Sequence, residues 1–286
     1  DWKREKDAIE REAKLGYDGR FGPGLPSISD GQMLFLLNGV KKLKEGSGRM
    51  AIIQNGSSLF TGDAGSGPSE IRRYLICEDL VDAIVQLPTD LFYNTGIATY
   101  IWLISKGKEG KRAGKVQLID ASKCFVKRRK NIGNKRVDLD DACIRMIVTA
   151  YNEFEDKAYA EGALAVESKV FANDFFGFTK VTVETPVCDE EGKPILKKGK
   201  PQPNKAKSDS EIIPLCEDVD EYFAKNVLPY NPVAYMDRSK DKIGYEIPFT
   251  RLFYKFTPPR SSDEIFAEFK ALSEEETDLM KEILGE

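Results

Sequence analysis

Four short apolar runs rich in β-branched and aromatic residues, Met50–Gln54, Val81–Leu87, Ala98–Ile104 and Val116–Ile119, punctuate the first half of the chain. Each is too short for a helix and close to continuously apolar, which is how a strand covered on both faces reads. Between the first two lies a helical pattern, with Ile71, Tyr74 and Leu75 on one face, Ser69 as its cap and Glu70 in its first turn. Ahead of the first run, behind a cap at Ser29 or Asp30, Met33, Leu34, Leu37, Val40 and Leu43 recur at helical spacing. Strand and helix in alternation predict an α/β fold with a mostly parallel sheet.

The flanking regions read differently. The first thirty residues are charged, then rich in glycine and proline, and predict a short helix and an irregular loop that builds no core. Beyond Ser122 come Lys123, Lys127, Arg128, Arg129, Lys130, Lys135 and Arg136 with no acidic residue among them. A domain boundary is expected there, dividing the chain into 1–122 and 123–286. A helix near Leu139–Ala160 carries Ile144, Ile147, Val148, Tyr151 and Phe154. Glu167–Pro186 alternates like strands, and Cys188–Lys207, rich in lysine, proline and glycine, reads as a hairpin or loop. A helix over Pro214–Val227 and an aromatic strand or extended segment at Phe249–Phe256 follow. The chain closes with an amphipathic helix from Ser261 or Ser262, its stripe formed by Ile265, Phe266, Phe269, Leu272, Leu279, Met280 and Ile283.

Composition excludes several chemistries. There is no histidine, so the usual general base and the commonest transition-metal ligand are missing, and no metal site is expected. The five cysteines, at wide and irregular spacings, suggest neither a disulfide framework nor a zinc site. A net charge of −4 argues against a surface that grips nucleic acid everywhere, so any contact with DNA must be local. No apolar run approaches the roughly 20 residues that span a bilayer, which leaves a soluble, cytoplasmic protein without a membrane as the expectation.

Two loops could carry chemistry. Gly62-Asp63-Ala64-Gly65-Ser66-Gly67, ahead of a helix, could cradle phosphate, with Asp82 near a ribose in a dinucleotide-binding enzyme; a plain surface turn fits the glycines as well. Leu91-Phe92-Tyr93-Asn94-Thr95-Gly96-Ile97 places two adjacent aromatics and an amide on a loop between strands, where a flat ring could be stacked and hydrogen-bonded. The same aromatics could simply plug the end of the sheet. Lys127, Arg128, Arg129 and Lys130 could touch DNA phosphates, or form an ordinary solvated face.

Gly19-Arg20-Phe21-Gly22, Ser29-Asp30-Gly31, Asn55-Gly56-Ser57, Leu59 to Gly67, Glu70-Ile71-Arg72-Arg73, Leu91 to Ile97 and Lys242-Ile243-Gly244-Tyr245-Glu246-Ile247-Pro248-Phe249-Thr250-Arg251 together resemble the modification (methyltransferase) subunit of bacterial type I restriction-modification systems. The resemblance covers nearly the whole chain. It implies the C-terminal half of a Rossmann-like class I methyltransferase sheet, followed by a mixed α+β distal region ending in a helix. The implied activity is site-specific transfer of a methyl group from S-adenosyl-L-methionine to the N6 amine of adenine in DNA. The implied partners are DNA, a specificity subunit and a restriction subunit. By resemblance Phe92 or Tyr93 would face the flipped adenine, with Asn94 and Thr95 shaping the loop. No Asn-Pro-Pro-Phe or Asn-Pro-Pro-Tyr occurs in the sequence. No catalytic residue is therefore named, the cofactor site is expected outside this chain, and the chain alone is expected to be an inactive C-terminal fragment. The alternatives are a non-catalytic interaction module of the same complex and, further off, the dinucleotide-binding enzyme.

Overall fold

A computed structural model describes residues 1–197, 199–256 and 258–284. Its strands are β1 (Arg49–Asn55), β2 (Val81–Gln86), β3 (Thr99–Ser105), β4 (Lys115–Lys123), β5 (Val126–Ile132), β6 (Lys135–Asp138), β7 (Lys157–Glu161), β8 (Leu164–Ala172), β9 (Gly177–Glu184), β10 (Leu196–Lys197), β11 (Lys200–Pro201), β12 (Asp209–Pro214), β13 (Tyr235–Met236) and β14 (Lys242–Tyr245). Its helices are α1 (Lys6–Ala13), α2 (Gln32–Lys42), α3 (Ser57–Phe60), α4 (Gly67–Cys77), α5 (Asp141–Glu153), α6 (Val219–Asn226), α7 (Phe249–Phe253) and α8 (Ser262–Leu284).

The central sheet has six strands in the order β1-β3-β2-β4-β8-β7. The α/β class holds, but the mostly parallel sheet does not: β2 and β4 are its only parallel neighbours. The cause is the connection between β2 and β3. A parallel return needs a crossover, usually helical. Residues 87–98 contain no helix, so β3 turns back and inserts antiparallel between β1 and β2. The link from β1 to β2 does carry α3 and α4, and those two strands run in the same direction.

Burial follows the register. Ile84, Leu118 and Trp102 sit side by side across three strands, and each is fully buried. Their neighbours in sequence, Val85 and Ile119, point to the opposite face and pack with Val166 against Cys143 and Ala150 of α5. The strands are thus buried on both faces, as their unbroken apolar runs require. The sheet continues past residue 122, since β4 runs to Lys123 and β8 and β7 follow it in the same sheet.

Beyond it β9 is the hub of a second, antiparallel sheet, pairing with β12, β13 and β14. Two compact units result, one of residues Asp1–Phe249 and one from Thr250 on. The second unit contains α8, whose apolar stripe of Ile265, Phe266, Phe269, Leu272, Leu279, Met280 and Ile283 is exposed.

Several local expectations are corrected. The first thirty residues do contribute to the core: Trp2 and Phe21 are buried, and the Trp2 indole donates to the Ser27 carbonyl at 2.8 Å. Ser69 is not a cap, because α4 starts two residues earlier with Pro68 in its first turn, and the Ser69 hydroxyl accepts from the Tyr245 amide. The helix expected to reach Ala160 stops at Glu153, where Phe154 turns left-handed (φ 55°) and buries its ring under the Arg112 guanidinium, freeing 157–161 to pair as β7. The N-terminal part of the helix expected from Pro214 is loop, with α6 capped by Asp218. Phe249–Phe253 is helix rather than strand: it starts directly after Pro248, a suitable N-terminal lead, and Phe249 packs edge-on against Tyr100.

Candidate functional site

Since β1, β2 and β4 share one direction, their carboxyl ends lie at one edge of the sheet. That edge is where ligands collect in α/β proteins. Each strand delivers a different kind of chemistry to it.

From β1 the chain passes through Asn55 into a hydrogen-bonded polar cluster. The Gln32 amide donates to Asp30 and to the Asn55 side chain, each at 2.8 Å, and its carbonyl accepts from the Asn55 backbone amide. The Ser57 hydroxyl donates to Asp30 at 2.8 Å. Burial pushes the Asp30 carboxyl up, but the hydrogen bonds from Gln32 and Ser57 outweigh it and hold the group below its ordinary value. Beside the cluster, two atoms, Gln54 Oε1 and Thr99 Oγ1, are buried without a hydrogen-bond partner among the described residues. Motifs containing Asp30 and Asn55 were visible in the sequence, but nothing marked them as spatial neighbours, because their union depends on α2 packing beside the end of β1.

From β2 comes the 87–98 loop. Leu87 and Leu91 root it in the core. Asp90 takes φ 57°, and Phe92 bridges to Thr95 in a tight turn. The two aromatics separate here: Phe92 is half-buried against the cluster under α5, whereas Tyr93 is 61% exposed. Asn94 is exposed, and the Thr95 hydroxyl accepts from the Ile97 amide within the turn.

From β4 comes the basic hairpin of β5 and β6. Lys127, Arg129 and Lys130 are exposed and, among the described residues, have no ion-pair partner, while Arg128 is engaged by Asp138, which Lys135 also pairs at 2.9 Å. The Lys135 hydrogen bond, with Arg128 adding to it, holds the Asp138 carboxyl below its ordinary value. The two predicted sites are adjacent. The Asn134 amide donates to the Tyr93 carbonyl at 2.8 Å and the Arg136 amide to the Asp90 carbonyl at 2.8 Å. Lys135 Nζ stands 5.8 Å from the centre of the Tyr93 ring.

The glycine-rich loop is not a phosphate cradle. It follows α3 rather than a strand, and it contains the Asp63 carboxylate, which is ion-paired to Lys180 of β9 at 2.8 Å. Its glycines serve the backbone path: Gly62 and Gly65 take φ of +93° and +75°, and a Cβ on Gly67 would lie 1.8 Å from the Leu25 carbonyl oxygen. Asp82 is also unsuited to a ribose. It is buried near the opposite edge of the sheet, ion-paired to Arg112 at 2.9 Å and hydrogen-bonded by Tyr151. The residues present therefore do not compose a dinucleotide site, and no cradle for S-adenosylmethionine is assigned to them.

The sequence model of the family described as N-6 DNA methylase matches residues 2–191. The chain belongs to the N-6 DNA methylase family. Members of this family use S-adenosylmethionine as methyl donor in general. The methylase subunit of the type I restriction enzyme MjaVIII of Methanocaldococcus jannaschii is 33% identical over 108 residues, which cover 38% of this chain and 18% of that protein. The methylase subunit of the type I restriction enzyme HindI of Haemophilus influenzae is 29% identical over 188 residues, covering 64% of this chain and 41% of that protein. The chain thus spans less than half the length of these two methylase subunits. A crystal structure of the type I restriction-modification methyltransferase subunit from Streptococcus thermophilus aligns with 55% of this chain and 30% of its own, at 30% identity and a TM-score of 0.46. The resemblance to type I modification subunits carried by the sequence motifs is borne out by the family match and the two methylase-subunit relatives. Among the described residues no helix is long and apolar enough to cross a membrane.

Proposed function

We propose that this chain forms the base-holding and backbone-gripping part of an adenine-N6 DNA methyltransferase, the modification subunit of a type I restriction-modification complex. The observation that carries this reading is the meeting, at one sheet edge, of an exposed tyrosine on a tight loop with a hairpin that exposes Lys127, Arg129 and Lys130. Methylating an exocyclic amine inside a duplex requires the base to be extruded, and an extruded base needs an aromatic face to stack on. Tyr93 offers that face and Phe92, packed into the core, supports the loop beneath it. Asn94 and Thr95 shape the turn, and Lys127, Arg129 and Lys130, with Arg128 behind them, meet the phosphates.

The methyl donor, S-adenosylmethionine, supplies the electrophilic methyl group when bound, and no residue of this chain is assigned to hold it. Nor is a catalytic residue assigned, since the acceptor groups that draw charge from the amine would come from an Asn-Pro-Pro-aromatic segment that the sequence does not contain. In this reading the chain by itself is inactive. The exposed stripe of α8 supports a second element of the proposal: docking on a specificity subunit, within an assembly that also holds a restriction subunit.

Binding to short duplexes by fluorescence anisotropy tests the reading. A duplex with one extrahelical adenine should bind roughly tenfold more tightly than its fully paired counterpart, the scale of one base stacked on an aromatic ring. Tyr93→Ala should abolish that preference. Equal affinity of the unaltered chain for both duplexes would defeat the proposal.

A further inference from the structure

The turn that carries Tyr93 holds itself together weakly. Its internal backbone pairing is the single bridge between Phe92 and Thr95, and its tip is solvent-exposed. What fixes it comes from another element. The carbonyls of Asp90 and Tyr93, on either side of the aromatic pair, both accept from backbone amides of the β5–β6 hairpin: Asn134 to Tyr93 at 2.8 Å, Arg136 to Asp90 at 2.8 Å and Val137 to Asp90 at 3.4 Å.

The joint is close-fitting. Gly133 takes φ +58°, a conformation that side chains disfavour, and a Cβ there would lie 2.5 Å from the Tyr93 carbonyl oxygen. Below the joint, buried Val137 anchors the hairpin in the core under α5. Lys127, Arg129 and Lys130 of the same hairpin are exposed and have no ion-pair partner among the described residues.

We infer that the β5–β6 hairpin positions the Tyr93 loop through Gly133, Asn134 and Arg136, so that recognition of an extruded base depends on a backbone joint distinct from the cations that grip the phosphates. This rests on the function proposed above. Gly133, Asn134 and Arg136 are positioning residues, acting on the base through Tyr93. The hairpin then has two separable roles: its charges set affinity for any duplex, and its turn sets the preference for an extrahelical base.

The separation can be measured with the full 286-residue chain and the two duplexes already described. Replacing Lys127, Arg129 and Lys130 together with alanine should weaken both complexes alike and flatten the slope of log affinity against log salt. The ratio between the duplexes should stay within about twofold, far from the roughly tenfold scale of base stacking. Gly133→Val changes no charge, so it should leave the salt slope intact while cutting the ratio to below about threefold on that same scale. A Gly133→Val chain that keeps the full ratio would overturn the inference while leaving the function proposed above intact. An unaltered chain with no preference would overturn both.

Hydrogen exchange of the unaltered chain gives an answer even where Gly133→Val disrupts the hairpin itself. The amides of Asn134 and Arg136 should slow on binding the duplex with the extrahelical adenine and not on binding the paired one. Equal protection by both duplexes, or by neither, would overturn the inference.

Discussion

Replacing Arg72 with methionine should destabilise the protein by about 4 kcal/mol, a large share of the roughly 5–15 kcal/mol that holds a domain folded. Arg72 is 1% exposed, and its guanidinium donates to the carbonyls of Tyr245 at 2.6 Å, Ser58 at 3.1 Å and Thr61 at 3.0 Å. Two opposing effects decide the sign. Burial lowers the Arg72 pKa to about 10. That shift means that keeping the charge inside costs about 3 kcal/mol, a cost methionine removes. Against this, hydrogen bonds from a charged group contribute about 1.5–3 kcal/mol each, and three are lost together while their carbonyls stay buried. The hydrogen bonds win. Arg72→Lys should recover only a minor part, since one compact ammonium cannot reach three carbonyls arranged for a planar fork. Urea denaturation followed by circular dichroism measures the change, and hydrogen exchange should show β14 losing protection first, because its Tyr245 is held by Arg72 and Ser69 alike. A loss under about 1 kcal/mol would refute the reasoning by showing that the bonds and the burial cost cancel.

Three further outcomes are expected. Gly67→Ala should destabilise by more than about 2 kcal/mol in the same urea assay, because its Cβ would overlap the Leu25 carbonyl oxygen and force that backbone to move. Trp102→Phe should cost about 2 kcal/mol, since the side chain is fully buried and its indole donates to the Ser58 hydroxyl; thermal melting checks this. Asp138 and Asp140 both ionise below their ordinary range, Asp138 through Lys135 and Arg128, and Asp140 through the Cys143 amide at the start of α5. Their folded pKa values lie below the unfolded ones, so their contribution is complete above about pH 4 and disappears as pH falls through the lower, folded values. Amide exchange across 126–143, measured stepwise below pH 5, should accelerate only at the acid end.

Much of this architecture could be read from residue patterns. The β1–β4 strands, α2, the hairpin near Cys188–Lys207 and α8 fall close to where their periodicity and punctuation put them, because each is specified by local spacing. The errors share one origin, which is tertiary contact overriding local preference. Phe154 leaves the helix to stack on Arg112, and Phe249 starts a helix because Pro248 and the Tyr100 ring receive it there. Strand direction was equally hidden, as nothing inside the β3 segment says which way it runs; the information lies in the missing helix before it. At the site, the residue types of the aromatic loop and the basic cluster were both evident. Their adjacency was not, since a backbone amide of Asn134 meeting a carbonyl of Tyr93 leaves no trace in side-chain identity. The glycine-rich loop left two readings open, a phosphate cradle and a plain turn, because steric necessity and ligand contact select the same residue.

Both ends of the 87–98 segment emerge from neighbouring strands in the interior of the sheet, β2 and β3. The tip is therefore mounted at its base on two interior strands and braced from the side by the β5–β6 hairpin, rather than hung as a free tether. Substitutions at Tyr93, Asn94 or Ile97 would alter what is touched without altering where the touching happens. Such an edge can drift to accommodate another ring or another strand path while the registry beneath it stays fixed, so the capacity to fold and the choice of target can change independently.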